Sequence, residues 1–259
     1  MEPIIKLKDV SWKREGKPIL EHVNWQVNRK EHWAILGLNG SGKTTLLNMI
    51  NGYIWPSEGK MEVLGCTFGK TDIRELRKRI GWVSSSLMTR IQGTEDTQNV
   101  VVSGKFASIG LYDMPTERDF EKAFSLMELV GVKHLIGRTY ETCSQGEQQK
   151  LLIARGLMAD PELLILDEPT NGLDFISREG LMQTIDELAQ SKKAPTIILV
   201  THHAEEILPM FSHTLLLREG KAFASGINKE ILHEDLLSDF FQRPVSVEWK
   251  DERAWLRVK

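Results

Sequence analysis

Gly37-Leu38-Asn39-Gly40-Ser41-Gly42-Lys43-Thr44 is the stretch on which the reading of this chain turns. It meets the spacing G-x-x-x-x-G-K-[ST] at every fixed position. That spacing serves an oligophosphate. Gly40 and Gly42 let successive backbone N–H groups turn inward onto anionic oxygens. Lys43 brings a mobile positive charge to β- and γ-phosphates, and the Thr44 hydroxyl is a hard oxygen ligand for Mg²⁺. Gly37, Leu38, Asn39, Ser41 and, one residue beyond the loop, Thr45 complete the candidate phosphate contacts. The flanks agree. His32 to Leu36 reads as a buried strand feeding the loop, and Thr45 to Ile50 as a helix whose positive N-terminal end faces the phosphates. Asn51-Gly52 then stops the helix. The stretch implies a nucleoside triphosphate site; the competing reading is a glycine-rich turn that matches by chance.

Composition sets the outer limits. A length of 259 residues allows one large domain or two small ones. A net charge of −3 implies no broad basic surface, so no direct nucleic-acid partner is expected. Cys66 and Cys143 are the only cysteines and stand far apart, which suggests neither a disulfide framework nor a zinc site and fits a reducing cytosol. Met1-Glu2-Pro3-Ile4-Ile5-Lys6 is no apolar signal segment, and no run reaches the ~18 apolar residues of a membrane span. A role at a membrane would need another chain to cross it.

Either side of the loop the pattern alternates between strand and helix. Val23, Trp25 and Val27 alternate with polar residues, so residues 4 to 28 read as antiparallel β structure turning at Gly16-Lys17-Pro18. Trp12 falls just past the first strand of that region, and its local reading is a core aromatic. Asp72 with Glu75 marks a helix start, and Ile80 to Val83 a strand. From Ser84 to about Pro115 glycines interrupt every pattern, and irregular structure with short helices is expected. Phe120, Ala123, Phe124, Met127 and Val130 then share one helical face, read as core. A helix follows from about Gln145 to Met158, and Ser177 opens another. Leu163 to Leu166 and Thr196 to Val200 are continuous apolar runs, as in strands buried on both faces of a parallel sheet. A hairpin turns at Glu219-Gly220, and beyond residue 227 a helical tail ends in a short strand at Val245 to Trp249. Phe240, Phe241 and Trp255 in that tail read as core by default.

Both apolar runs deliver chemistry at their carboxyl ends, where parallel sheets collect ligands. The first ends in Asp167-Glu168. Asp167 suits the ordering of a Mg²⁺-bound water, and Glu168 a general base that polarises an attacking water. A carboxylate pair at a strand end can equally cap a helix. The second run ends in Thr201-His202-His203, whose two imidazoles are expected to point apart, so that one faces a γ-phosphate and no metal is shared.

From Ile4 to about Gly226 the chain resembles the nucleotide-binding domain of ATP-binding cassette (ABC) ATPases. The likeness rests on the order and spacing of the phosphate loop, Leu163 to Thr170, Asn171-Gly172-Leu173-Asp174, and Thr201-His202. Cys143-Ser144-Gln145-Gly146-Glu147 stands where that family has its Leu-Ser-Gly-Gly-Gln signature. The resemblance implies an α/β fold of the P-loop NTPase type. Its mixed, mainly parallel sheet core carries an antiparallel β subdomain and a helical subdomain, about residues 86–160, that bears the signature. Residues 1–226 would form this domain and 227–259 a C-terminal extension. It further implies Mg²⁺-dependent ATP hydrolysis with Asp167 at the metal, Glu168 as base, Lys43 on the phosphates and His202 as γ-phosphate sensor. Trp12 would stack on adenine. Ser144, Gly146 and Asp174 would complete the nucleotide site of an opposed subunit, a homodimer or a pairing with a similar chain. Closure on ATP and release on hydrolysis would drive separate transmembrane subunits, with the chain cytoplasmic and peripheral at the inner face of the cell membrane.

Two departures stand against that pattern. The signature carries Cys143, Gln145 and Glu147 in place of Leu, Gly and Gln, and an acid there either faces the incoming phosphates or turns away. Ser85 occupies the place of the Gln that touches Mg²⁺ or its water in the family. A serine reaches that position only through a water; Gln92 is the alternative on the same loop. The missing Gln favours a second reading, a soluble ATPase of the family that acts on a protein or nucleoprotein complex. The single cassette without a charged linker or basic tail favours the transporter.

Overall fold

The structure, a computed structural model, describes residues 2–68, 72–106, 110 and 114–259. From the N-terminus run β1 (Pro3–Arg14), β2 (Lys17–Asn28), β3 (Trp33–Leu36), α1 (Lys43–Ile50), β4 (Glu58–Val63) and β5 (Cys66–Thr67). Next come α2 (Ile73–Lys78), β6 (Ile80–Ser84), α3 (Ser85–Met88), α4 (Thr97–Val102), α5 (Glu117–Leu129), α6 (Gln145–Leu157) and β7 (Leu163–Asp167). Then follow α7 (Phe175–Ala189), β8 (Thr196–Thr201), β9 (His213–Arg218) and β10 (Lys221–Ile227). The chain closes with α8 (Asn228–Ile231), α9 (Glu234–Phe241), β11 (Val245–Lys250) and β12 (Arg253–Val258). These elements form two compact units, Met1–Leu76 with Thr196–Lys259, and Arg77–Pro195.

In the first unit an antiparallel sheet has the order β2-β1-β4-β5. The alternation read at Val23, Trp25 and Val27 is real: these three are buried while their neighbours are exposed or half-buried. Trp12 belongs to β1 itself, opposite Leu20, and does not follow the strand as expected. The hairpin pairs as far as Arg14 with Lys17, so the strand is longer than its apolar residues alone suggested. A second group of strands places β3 parallel to both β8 and β9, with β10 antiparallel to β9. Every residue of β3 and β8 is buried, the signature of strands covered on both faces. The tail adds α8, α9 and a two-stranded hairpin, β11 with β12. Phe240 is buried, whereas Trp255 at 39% exposure lies outside the core expected for it.

In the second unit β6 and β7 pair in parallel, from Ile80 beside Leu163 to Ser84 beside Asp167. The irregular stretch after Ser84 holds α3, α4 and a 3-10 turn at Ser103–Phe106; residues 107–109 and 111–113 of it lie outside the described residues. Helix α5 corrects one expectation. Its buried row is Asp119, Ala123 and Met127, and Phe124, one residue round the cylinder, is 37% exposed beneath the Lys133 ammonium. Asp119 takes an inward place because Lys105 Nζ donates to both its carboxylate oxygens at 2.7 and 2.8 Å. Helix α7 begins two residues before Ser177 because Asp174 caps it, accepting from Ser177 N–H at 2.9 Å. Among the described residues no helix is long and apolar enough to cross a membrane.

Candidate nucleotide site

The candidate residues divide between the two units. In the first, β3 delivers the chain to Gly37, and the loop turns through Gly40 (φ +80°) and Gly42 (φ +104°). Both lie in the left-handed region that a side chain resists, and they let the loop's N–H groups converge. Gly42 is the N-cap of α1 and offers no side chain to its first turn, which also holds no acid. The positive end of α1 therefore meets no competing side chain from its own cap and no acid in its first turn. Lys43 is buried, its ammonium donating to the carbonyls of Gly37 (2.8 Å) and Leu38 (3.2 Å). Beside it the Ser41 hydroxyl is buried without a hydrogen-bond partner, an orphaned donor inside the loop. Leu38, Asn39, Gly40 and Thr44 are exposed and Thr45 is half-buried. These features fit a triphosphate.

The loop is braced from behind by residues that the sequence reading treated only as a turn. Gly220 N–H donates to Ser41 C=O at 3.0 Å, and Gly220 C=O accepts from Glu21 N–H at 2.9 Å. Gly220 has φ +77°, and a Cβ there would stand 2.3 Å from the Ile19 carbonyl oxygen. Only glycine fits between β2 and the phosphate loop.

His202 follows β8 in the same unit. Thr201 roots its loop: the buried hydroxyl donates to buried Glu206 Oε2 at 2.5 Å and accepts from His203 N–H at 3.0 Å. The imidazoles of His202 and His203 do not point apart as expected; their centroids are 4.0 Å apart at a tilt of 42°. The strand ends at Thr201, and side-chain alternation ends with it. Trp12 sits half-buried on β1.

In the second unit Leu163 to Leu166 are buried and lift Asp167 to the end of β7, where it is half-buried. Glu168 follows at φ +49°. A non-glycine residue in that region costs about 1–2 kcal/mol. The cap of the next helix is Asp174, so the carboxylate pair does not cap it. Ser85 is exposed at the start of α3 and shares a cavity of about 540 Å³ with Thr89, Gln145 and Asn171. Gln92 is exposed and lies in the turn that leads to Glu95.

The signature opens α6, with Ser144 as its N-cap. Glu147 turns back onto the helix start. Its Oε2 accepts from Ser144 N–H at 2.7 Å and from the Ser144 hydroxyl at 2.9 Å, and its Oε1 lies 2.9 Å from His134 Nε2. Ser144-x-x-Glu147 is the spacing of a capping box, a signal present in the sequence but overlooked there. Gly146 packs close to α7, where a Cβ would meet Ser177 Cβ at 3.4 Å. The Asp174 carboxyl is held below its ordinary value by the N–H and hydroxyl of Ser177.

Among the described residues no group of three or more His, Cys, Asp or Glu could hold a metal. Mg²⁺ keeps several waters and binds through one or two protein oxygens together with substrate phosphates, and the Thr44 hydroxyl and the Asp167 carboxylate are oxygens of that kind.

Comparisons with known proteins agree with the geometry. The family model described as ABC transporter matches residues 20–171. YlmA of Bacillus subtilis (strain 168), an ABC transporter ATP-binding protein, is 51% identical over 254 residues, 98% of this chain and 96% of its own length. The structure of cbiO1 from Clostridium perfringens, part of the ABC transporter complex cbiONQ, aligns with a TM-score of 0.80 at 26% identity, covering 92% of this chain and 94% of that one. An ATP-binding cassette solved as a dimer in a post-hydrolysis state with ADP and Pi aligns at 0.72 and 25% identity, over 86% and 98% of the two chains. This chain belongs to the ABC transporter family. It is an ATP-binding cassette ATPase, the subunit that powers an ABC transporter, and the soluble alternative is not favoured.

Proposed function

We propose that this chain hydrolyses ATP as one half of a head-to-tail pair of cassettes, closing on ATP and opening after hydrolysis, and so drives separate transmembrane subunits from the cytoplasmic face. The observation that carries this reading is the loop Gly37 to Thr44, with its two left-handed glycines, open helix start and buried Lys43 ammonium. Lys43 leaves the Gly37 and Leu38 carbonyls for the β- and γ-phosphates, and Trp12 stacks on the base. Thr44 and Asp167 would hold Mg²⁺, directly and through a shell water; bound there, the ion neutralises charge on the phosphate oxygens. Ser85 reaches that shell through water, with Gln92 as the alternative.

The chemical step is displacement at the γ-phosphorus. Water attacks in line, the bond to the ADP oxygen breaks, and Glu168 accepts the proton that the water gives up. His202 donates to the γ-phosphate oxygens. Ser144 and Gly146 at the start of α6 serve the nucleotide of the opposed cassette, and Asp174 lies in the segment that crosses between copies. A second copy of this chain satisfies that arrangement, as does a similar cassette. Residues of about 86–160 form the helical arm that carries the signature, and 227–259 an extension of the catalytic domain.

The test traps the closed state. Glu168→Gln, expressed in native cells and purified in gentle detergent with ATP and Mg²⁺, is expected to bring down a polytopic membrane protein in stoichiometric amount. Recovery of a soluble partner alone, under conditions that keep a known transporter intact, would overturn the transport assignment.

A further inference from the structure

The first turn of α6 already holds an anion. Both donors that the N-cap can offer, the Ser144 N–H and the Ser144 hydroxyl, go to one oxygen of Glu147 at 2.7 and 2.9 Å. The other oxygen is steadied by His134 at 2.9 Å, from the 3-10 turn Lys133–Leu135. Burial alone would raise the Glu147 carboxyl, but the bonds from His134 and Ser144 outweigh it and hold the group below its ordinary value. Capping does not require this charge. A glutamine at the same position closes the same box.

On the head-to-tail reading, the Ser144 hydroxyl that Glu147 occupies is a donor that the γ-phosphate of an opposed cassette would need. We infer that Glu147 is a built-in competitor for the γ-phosphate: in the open cassette its carboxylate fills the Ser144 donors, and closure on ATP has to displace it. The inference rests on the head-to-tail reading above. Closure then replaces two charge-assisted bonds within the chain by bonds to the nucleotide, and it brings one negative group towards another. The balance moves the ATP concentration at which the pair closes. It leaves the proton transfer at Glu168 untouched, and it leaves binding to the phosphate loop of the isolated cassette untouched as well. Glu147 therefore acts as a threshold on closure, set by the opposed cassette's own signature helix.

The experiment compares Glu168→Gln with Glu168→Gln/Glu147→Gln and Glu168→Gln/Ser144→Ala by sedimentation across an ATP titration with Mg²⁺. Half-maximal dimerisation is expected at about tenfold less ATP when Glu147 is neutralised. ADP affinity is expected to stay unchanged and the thermal midpoint to fall only slightly, since glutamine keeps the geometry of the cap and loses the charge-assisted part of its bonds. A merely structural role would move the midpoint and leave the ATP threshold where it was. A threshold that is equal or higher with Glu147→Gln, while Ser144→Ala still weakens closure, overturns the inference alone. If Ser144→Ala leaves closure intact, the head-to-tail reading fails first and takes the inference with it. Salt gives a second readout on the same proteins. Because salt also screens the Lys43–phosphate attraction, the quantity read is the gap between the thresholds of Glu168→Gln and Glu168→Gln/Glu147→Gln, which is expected to narrow as ionic strength rises; a gap independent of salt counts against the inference.

Discussion

Replacing Thr201 with valine removes one hydroxyl at the root of the loop that carries His202, with almost no change in volume. The hydroxyl is buried, as is its acceptor Glu206, each about 1% exposed. It makes two bonds, one of 2.5 Å to the Glu206 carboxyl and one of 3.0 Å from His203 N–H. A neutral bond contributes about 1 kcal/mol net and one to a charged group about 1.5–3. The half-buried His203 N–H recovers part of its loss by finding water, so the sum is about 3 kcal/mol. For a chain of this size each kcal/mol moves the melting temperature by about 2–4 °C, and Thr201→Val is expected to melt roughly 6–12 °C lower. The same bonds fix the backbone on both sides of His202. Below the variant's melting range kcat is therefore expected to fall about tenfold or more, with ATP affinity within about twofold of the parent. Differential scanning calorimetry and a steady-state phosphate-release assay read the two effects. A melting temperature within about 2 °C of the parent, together with an unchanged kcat, would refute the claim that Thr201 and Glu206 hold this loop.

Two further outcomes follow from packing and charge. Gly220→Ala meets the Ile19 carbonyl at 2.3 Å in a left-handed backbone, so it is expected to cost about 2–4 kcal/mol in denaturant unfolding and to weaken ATP binding through the lost brace on Ser41; a neutral result would remove Gly220 from the loop's support. Hydrogen bonds from Lys105 foremost, then from Thr116, lower the Asp119 carboxyl from 3.8 to about 2. A folded value below the unfolded one gives stability that is complete above about pH 4 and is lost as pH falls through about 2. The stability gap between the parent and Asp119→Asn is thus expected to narrow on acidification from about pH 5 to pH 3, and a gap independent of pH would contradict the pairing.

What the sequence made legible was local. The phosphate loop, its feeding strand and its helix lie within twenty residues, and glycine spacing together with an apolar run is enough to read them. Asp167 and Glu168 were legible for the same reason, because four buried residues lead straight to them. The features that escaped join distant positions. Nothing near Gly220 announces that it braces Ser41, since that contact spans 179 positions between the two residues bonded at 3.0 Å. The partner of Glu147 is His134, across a turn that no periodicity marks, although the Ser144-x-x-Glu147 box itself was there to be read. Phe124 lies off the inner row because Asp119, a charged residue paired with Lys105, occupies a place on it that an apolar pattern does not mark. The close, tilted imidazoles of His202 and His203 escape a reading by strand alternation because the strand ends at Thr201. The second strand of the terminal hairpin, Arg253–Val258, is punctuated by charge and buries only Ala254, so its pattern is weak.

The central claim is that Glu168 is the base that spends ATP and that closure does not need it. One measurement tests this directly: phosphate release and sedimentation on the same preparations of parent and Glu168→Gln, with ATP and Mg²⁺. Hydrolysis is expected to fall at least about a hundredfold in the variant, as for loss of a general base, while the variant's mass doubles with ATP and not with ADP. Equal hydrolysis in the two proteins, or a variant that stays a monomer at saturating ATP, would contradict it.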